Sequence, residues 1–488
     1  MTNCLALDFG ASSIRLIGVA LRDGRFVQHE LARIGNGPQL VGGRQLWDYD
    51  RIFARVEAAL VDAGHSGVRY ESIGADSWGV DYALIGERGE LLSPPVAYRD
   101  VRTEGRMERF CAHHISAPAL FAATGVQCLE FNTLFQLYAH GESEGEVLRK
   151  AHRLLLTADY VHFWLSGVAA NERTLASTSQ MLMLDGRWLP EVLSTLGLAP
   201  GALSDPVAPG TVLGYMRVAL QDKTALRGLK VIAPAAHDTQ SAILAVPASS
   251  DRNWAYLSSG TWSIMGVESE EPFNDPAAEA AGLGNESGYG NTYCVQSTVT
   301  GLWLIQEIQR LLNDRSDGSA LARQAEGVAP FRSLIDPSNS RFFSPADMIA
   351  EIQAACRDAG EPQPVTPAEL VRCAYDSLAL LYRTTLLKLS SVTGRHFERL
   401  HVVGGGSKAA LLNHLCAATT GLPVLAGPAE ATALGNALAQ FVTLGVLSSV
   451  KEGRRAICDS FPPMRFEPVL LPGLQDAIVR FDRLTVRN

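Results

Sequence analysis

The sequence predicts an α/β protein of two large domains built to one design, and three observations predict it. The chain has 488 residues, more than one hydrophobic core ordinarily supports. It repeats itself at half its length. Leu5-Ala6-Leu7-Asp8-Phe9, the small turn Gly10-Ala11-Ser12-Ser13 and Ile14-Arg15-Leu16-Ile17-Gly18-Val19 read as strand, turn, strand. Tyr256-Leu257-Ser258-Ser259, Gly260-Thr261 and Trp262-Ser263-Ile264-Met265-Gly266 repeat that pattern, with the turn glycines 250 residues apart. Third, strand-like runs alternate with helical ones in both halves. The expected division is 1–247 and 248–488.

Composition narrows the class. Hydrophobic residues make up 47% and charged residues 19%, which describes a packed globular protein and argues against extended disorder. A formal charge of -9 gives no footprint for nucleic acid, so small polar ligands are the expected partners. The eight cysteines show no CxxC pair and no Cys/His metal spacing, and read as reduced structural thiols. No basic and apolar leader precedes the first strand, and the most apolar run, 154–170, is too short to span a bilayer and is interrupted by Asp159 and His162. A cytoplasmic protein with no membrane partner, monomeric or homodimeric, is expected.

Asp23-Gly24 between two strand-like runs is a hairpin signal, so the opening is an antiparallel meander. Residues 48–63 put Ile52, Val56, Ala59 and Leu60 on one helical face, with Gly64 as the expected stop. Residues 72–79 form a strand ending in Asp76-Ser77-Trp78-Gly79, and strand ends in α/β folds are where ligands sit. A second hairpin lies at Glu87-Arg88-Gly89, and Tyr98-Arg99-Asp100-Val101-Arg102-Thr103 is a charged loop of the kind that is commonly just solvated. Residues 107–201 are mainly helical, and the Pro/Gly-rich stretch 206–214 leads to the short strand Lys230-Val231-Ile232-Ala233. Residues 282–290 are too glycine-rich for a regular element and read as a loop against a ligand or backbone. Residues 301–312 are helical, and the capping box Thr366-Pro367-Ala368-Glu369 opens a long helix that stops at Gly394. Residues 399–408 are a strand feeding Gly404-Gly405-Gly406 and a helix that runs to Thr420, followed by a strand at 423–426 and a helix at 430–444 in which Gly435 permits close packing. The tail after Gly445 carries no legible motif.

The chemistry begins at His237-Asp238-Thr239. A carboxylate flanked by two hydrogen-bonding side chains, between Ala235-Ala236 and Ser241-Ala242, suits general-base work. Paired turns of backbone N–H groups and hydroxyls, here at Gly10 and Gly260, hold phosphates from two sides. Three successive glycines before a helix N-terminus let a nucleotide approach the backbone. Together they suit phosphoryl transfer from a nucleotide to a hydroxyl, with a divalent metal on the phosphates. Neither GxxxxGK[ST] nor the protein-kinase motifs are present, so an actin-like ATPase fold is expected, with Asp8 holding the metal through water and Asp238 as base. Plainer readings stand beside these: two unrelated hairpins, a crowded turn at the glycines, a satisfied core histidine at His237, a turn former at Thr261 and a solvated helix residue at Gln306.

At this point the chain resembles the FGGY carbohydrate kinases, and within that family the rhamnulokinases. The resemblance rests on Asp8-Phe9-Gly10-Ala11-Ser12-Ser13, Asp76-Ser77-Trp78-Gly79-Val80-Asp81, Tyr98-Arg99-Asp100, His237-Asp238-Thr239, residues 258–263, Gly301-Leu302-Trp303-Leu304 and residues 403–406, and it covers nearly the whole chain. It implies two ribonuclease-H-like domains flanking a central cleft, ATP with Mg2+, and phosphorylation of a ketose at its terminal hydroxyl. By the family pattern Asp238 is the proton acceptor, and Trp78, Gly79, His237, Asp238, Thr239 and Thr298 are sugar contacts. Ala11, Ser12, Ser13, Arg15, Gly260, Thr261, Gln306, Gly404 and Gly405 are the implied ATP contacts. Three departures bear on sugar choice: Thr298 stands where rhamnulokinases usually carry Asn, Ile14 replaces a small residue in the first turn, and Asn285-Glu286-Ser287-Gly288 replaces a double glycine. L-rhamnulose is the first expected acceptor; L-fuculose, ribulose and xylulose are alternatives. A non-catalytic regulator or a filament-forming ATPase of the same fold is the alternative of another class. Both catalytic aspartates and the sugar-side segments argue against it.

Overall fold

Asp23 and Gly24 turn the chain with φ of +48° and +75°, the left-handed pair that matches the twist of a two-residue hairpin. In the computed structural model, which describes residues 2–248, 253–313 and 319–486, that turn joins the second and third strands of a meander. β1 (Thr2–Phe9), β2 (Ser13–Arg22) and β3 (Arg25–Gly35) are antiparallel neighbours. β4 (Ser72–Ser77), β5 (Thr211–Tyr215) and β6 (Lys230–Ala233) complete the order β3-β2-β1-β4-β6-β5. β4 runs parallel to β1 and β6 parallel to β4, while β5 is antiparallel to β6. Every residue of β4 is buried, as a strand covered on both faces requires. Helices Tyr49–His65 and Thr157–Ser166 share one apolar core with β1 and β4, and helix Ala431–Thr443 also lies against both strands.

The same plan recurs. β7 (Trp254–Ser259) and β8 (Trp262–Ser269) form a hairpin. After β9 (Gly284–Ser287) come β10 (Tyr293–Thr300), β11 (Arg399–Val403), β12 (Val424–Ala426) and β13 (Met464–Phe466). They hydrogen-bond in the order β9-β10-β8-β7-β11-β12-β13, with β9 an edge strand beyond the repeated six. β11 is parallel to β7, β12 is parallel to β11, and β13 is antiparallel to β12, matching the first sheet strand for strand. This is the ribonuclease-H-like arrangement, built twice.

The compact units do not follow the chain as two continuous halves. One comprises Met1–Ala245, Glu268–Val295 and Ala431–Ser460; the other comprises Val246–Val267, Gln296–Glu430 and Phe461–Asn488. The late return is explained by helix Ala431–Thr443. Gln440 donates to the Leu5 carbonyl at 3.0 Å, and Asn436 to the Gly74 carbonyl at 3.1 Å.

Two local readings need correction. Gly64 lies inside helix Tyr49–His65 and does not end it; a Cβ there would lie 1.7 Å from the Thr224 carbonyl oxygen, so the glycine serves close packing. The glycine-rich stretch contains a regular strand, β9, because Asn285 is buried and its side-chain amide accepts from Phe273 N and donates to Phe273 O. The tail beyond Gly445 forms helices Val450–Ser460 and Leu474–Val486 as well as β13. The capping box is as expected: Thr366 and Glu369 cap helix Pro367–Thr393, and Gly394 ends it at φ +65°. All eight cysteines are unbridged. Among the described residues no helix is long and apolar enough to cross a membrane.

Candidate active site

Three adjacent parallel strands, β1, β4 and β6, point their C-terminal ends the same way, and each delivers a carboxylate there. Asp8 stands beside Asp76 in the β1–β4 register, and Ser77 bridges to His237, with Ser77 N donating to Ala236 O at 2.8 Å. Asp238 follows as the first residue of helix Asp238–Leu244. The edge is strongly negative. Burial, then the charge of Asp8, pushes the Asp76 carboxyl well above the usual carboxylate range, against the pull of Asn436, which donates to its Oδ2 at 2.6 Å. Arg15, across the hairpin from Asp8, pairs with that carboxylate.

Asp238 keeps 32% of its side chain exposed, while His237 beside it keeps 10%. His237 Nε2 lies 3.5 Å from Asp238 Oδ1, and its Nδ1 lies 2.8 Å from Glu286 Oε2. Gln240 donates to the same Oε2 at 2.9 Å. Burial is the largest single influence and disfavours the imidazolium, but Glu286, Asp238 and Glu172 together lift His237 to about 9. Desolvation raises the Asp238 carboxyl, while His237 and Thr239, whose hydroxyl donates to Oδ1 at 3.3 Å, counter it. The backbone ahead is fixed by Glu172 and Thr174: Ala236 N donates to Glu172 Oε2 at 3.1 Å, and His237 N to Thr174 Oγ1 at 3.2 Å.

Gly79 lies against Thr178, where any Cβ would come within 2.8 Å of the Thr178 hydroxyl. Val80 next to it adopts φ +69°, a strained conformation for a β-branched residue, and is clamped by Thr178 at its N–H and by Thr133 at its carbonyl. The Trp78 indole is 8% exposed, and its N–H donates to Asp81 at 2.9 Å. Trp47 donates to the same Asp81 oxygen at 2.7 Å. Asp100 of the charged loop is buried and accepts from Gln45 N at 2.8 Å, so this loop is tied down and not simply solvated. Ile14 is fully buried in the core, which absorbs its size away from the turn. In that turn a Cβ at Gly10 would lie 2.6 Å from the Ser13 carbonyl, and Ala11, Ser12 and Ser13 remain at least partly exposed.

In the second unit Gly260, Thr261 and Gln306 are brought together. Leu302 N donates to Gly260 O at 2.8 Å, Trp303 N donates to Thr261 O at 3.1 Å, and the Thr261 hydroxyl donates to Gln306 Oε1 at 3.1 Å. The three glycines after β11 divide their work. Gly404, at φ +81°, and Gly406 approach the end of β7, where a Cβ would come within 3.0 and 2.0 Å of Ser259 atoms. Gly405 faces open space and is exposed, which leaves its backbone accessible to a ligand. Thr298 is an exposed residue of β10 in this unit, whereas Trp78, Gly79, His237, Asp238 and Thr239 lie in the first.

Two family models match the chain: the N-terminal domain of the FGGY family of carbohydrate kinases over residues 3–245 and its C-terminal domain over residues 255–444. The chain belongs to the FGGY family of carbohydrate kinases. It is therefore a phosphotransferase, and kinases of this family use ATP as phosphate donor. Curated rhamnulokinases from Enterobacter sp. (strain 638) and Klebsiella pneumoniae (strain 342) are each 40% identical to it over 96% of the chain and 95% and 94% of their own length. Among solved structures, a ligand-bound xylulose kinase from Lactobacillus acidophilus superposes with TM-score 0.81 at 16% identity, and a Plasmodium falciparum glycerol kinase with ADP with TM-score 0.82 at 15% identity. Each covers 100% of this chain and 98% of that structure, and they establish the actin-like fold of this FGGY kinase.

The sequence pointed to Asp238, His237 and the turn residues but passed over the groups that hold them. Glu172, Thr174, Gln240 and Glu286 hold the segment that carries Asp238, and Thr178 holds Gly79 and Val80. Only Glu286 carried a signal, as a charge within a glycine-rich stretch that turns out to be half-buried.

Proposed function

We propose that this kinase transfers the γ-phosphate of ATP to the C1 hydroxyl of L-rhamnulose, with Asp238 as general base. What carries the reading is the 40% identity to rhamnulokinases over 96% of the chain, with His237-Asp238-Thr239 at the end of the parallel strands. Asp238 accepts the proton of the attacking hydroxyl, and the nearby imidazolium of His237 keeps the carboxylate ionised until then. Gly79 and Thr239 border the sugar, and Trp78, whose N–H is already used, contributes a wall. Ala11, Ser12, Ser13 and Arg15 meet the phosphates on the first unit's side, and Gly260, Thr261, Gln306, Gly404 and Gly405 meet the nucleotide on the second's. The proposed roles divide accordingly: most sugar contacts, the first phosphate turn and the base in 1–247, and the nucleotide in 248–488, which also carries the sugar contact Thr298. Thr298 is the proposed reader of one sugar hydroxyl, with a single O–H where an amide would offer both donor and acceptor.

Magnesium fits the first unit's edge. Asp76 Oδ1 is buried without a hydrogen-bond partner, and the charges of Asp8 and Asp238 both act on Asp76. Among the described residues no three His, Cys, Asp or Glu side chains form a metal cage. An ion would therefore be held by phosphate oxygens and water, with Asp8 as its outer partner. It would supply neutralisation of phosphate charge. The reading puts the reaction in the cytoplasm, in a monomer or homodimer.

The test is a coupled ADP-release assay with magnesium and ATP against L-rhamnulose, L-fuculose, ribulose and xylulose. Turnover greatest on L-rhamnulose is expected. Preference for another ketose would move specificity to Thr298 and residues 285–288, and silence on every sugar would refute the reading.

A further inference from the structure

Glu286 is the one carboxylate that β9 brings against the base-bearing segment, and the proposed reaction gives it no role. Its Oε2 collects two side chains from one short stretch, His237 Nδ1 at 2.8 Å and Gln240 Nε2 at 2.9 Å. The carboxylate keeps only 19% of its side chain exposed and the imidazole 10%, so the contact is largely shielded from solvent. β9 is itself anchored: Asn285 N donates to Gly125 O at 2.7 Å, and Ser287 N donates to Ser177 Oγ at 3.0 Å. Glu286 thus has a fixed backbone on both sides. On the far edge of the same imidazole, Nε2 lies 3.5 Å from Asp238 Oδ1. The three groups form a line: carboxylate, imidazole, carboxylate.

We propose that Glu286 is a positioning residue for the catalytic base: by accepting Nδ1–H it fixes the ring of His237 and holds it doubly protonated, with the Nε2–H edge turned to Asp238. The inference rests on Asp238 being the base, as proposed above. A neutral imidazole donating to Glu286 through Nδ1 would present a bare Nε2 lone pair to Asp238, and two acceptors would face each other. The imidazolium is a donor at both edges and relieves that conflict. It also places a positive charge beside the base, which favours the ionised carboxylate needed to take a proton. The charged groups facing His237 are Glu286 from β9, Asp238 from its own helix and Glu172 from the segment before helix Arg173–Ala176. Of these, Glu286 contributes most and makes the direct hydrogen bond through Nδ1.

The experiment is side-chain 1H–15N NMR of the histidines in the full-length wild type, Glu286→Gln and Glu286→Asp, paired with kcat/KM against pH on the preferred ketose. In the wild type His237 stays charged through neutrality and titrates near about 9. In Glu286→Gln the amide keeps the shape but not the charge. His237 then titrates below neutrality, the alkaline limb of kcat/KM moves to lower pH with it, and the value at pH 7.5 drops by about tenfold or more. Glu286→Asp keeps the charge but withdraws it by one methylene; it moves His237 in the same direction by less, and serves if the glutamine variant does not fold. A His237 resonance that titrates at the wild-type pH in both variants would overturn the inference, as would a kcat/KM profile that loses height without moving along the pH axis. The NMR arm needs no sugar. Failure of the substrate reading, seen as a silent wild type, is therefore distinct from failure of this inference, seen as an unmoved His237.

Discussion

Gly435→Ala is the substitution whose cost follows most directly from the geometry. Gly435 sits in helix Ala431–Thr443 where it crosses helix Asp238–Leu244, which carries the proposed base, and a Cβ there would lie 1.7 Å from the Ser241 carbonyl oxygen and 2.7 Å from its carbon. Carbon–oxygen contacts settle at about 3.3 Å or more, so the helices must part by about 1.5 Å. The obstruction is backbone, and no rotamer change relieves it. Overpacking of this kind costs about 1–3 kcal/mol or more, against a helix-propensity gain of about 1 kcal/mol for replacing glycine. A net loss of up to about 2 kcal/mol is expected. The larger effect falls on activity: Asp238 begins the displaced helix, and an error of about 1 Å at a reacting group costs about 100-fold. Hydrogen exchange over 238–245 and 431–443, with kcat on the preferred ketose, reads both effects. Gly141→Ala is the control. Its Cβ would meet Leu148 Cδ1 at 3.5 Å and Leu196 O at 3.7 Å, ordinary contacts, so it should be neutral or slightly stabilising. Wild-type exchange and kcat in Gly435→Ala would refute the packing argument.

Thr298→Asn should shift sugar preference toward L-rhamnulose; an unchanged profile across the four ketoses would remove Thr298 from the sugar site. Arg372→Met should destabilise the second unit by about 3–5 kcal/mol, because it strands Asp376, which now accepts from Arg372 Nε at 2.9 Å and Phe331 N at 2.6 Å. Burial already lifts Asp376 to about 6, against the pull of Arg372. Losing Arg372 lifts Asp376 further, and a raised acid destabilises where it is charged, so the loss should be greatest at alkaline pH and shrink as the pH falls toward about 6; a loss independent of pH in thermal melts would count against this. For the wild type, the His237 charge is present below about 9 and lost above it, so kcat/KM should fall as pH rises through that value. A fall already complete at neutral pH would show His237 to be neutral.

Local signals carried much of the fold. Asp23-Gly24, the Thr366 capping box and the turn glycines act within a few residues, and each formed the turn or cap its chemistry dictates. The duplicated hairpins announced a repeated plan that the two sheets display. Long-range partners were illegible. Nothing near Gly64 announces the Thr224 carbonyl, and nothing near Asn436 and Gln440 announces that they return to the Gly74 and Leu5 carbonyls. The site followed the same rule: Asp238 stood out among small neighbours, while Glu172 and Glu286, distant in sequence, emerged only when strands were paired. Residues 282–290 misled as a loop because their glycines concealed the buried Asn285 that pins β9 as a strand.

The central claim is that Asp238 takes the proton as phosphate moves to the sugar. The most direct measurement is 31P NMR of product formed from ATP, magnesium and L-rhamnulose by the wild type and by Asp238→Asn, with nucleotide binding measured alongside. A new phosphomonoester at C1 from the wild type alone, with nucleotide binding retained in the variant, is the expected result. The same product formed at a comparable rate by Asp238→Asn would contradict the account.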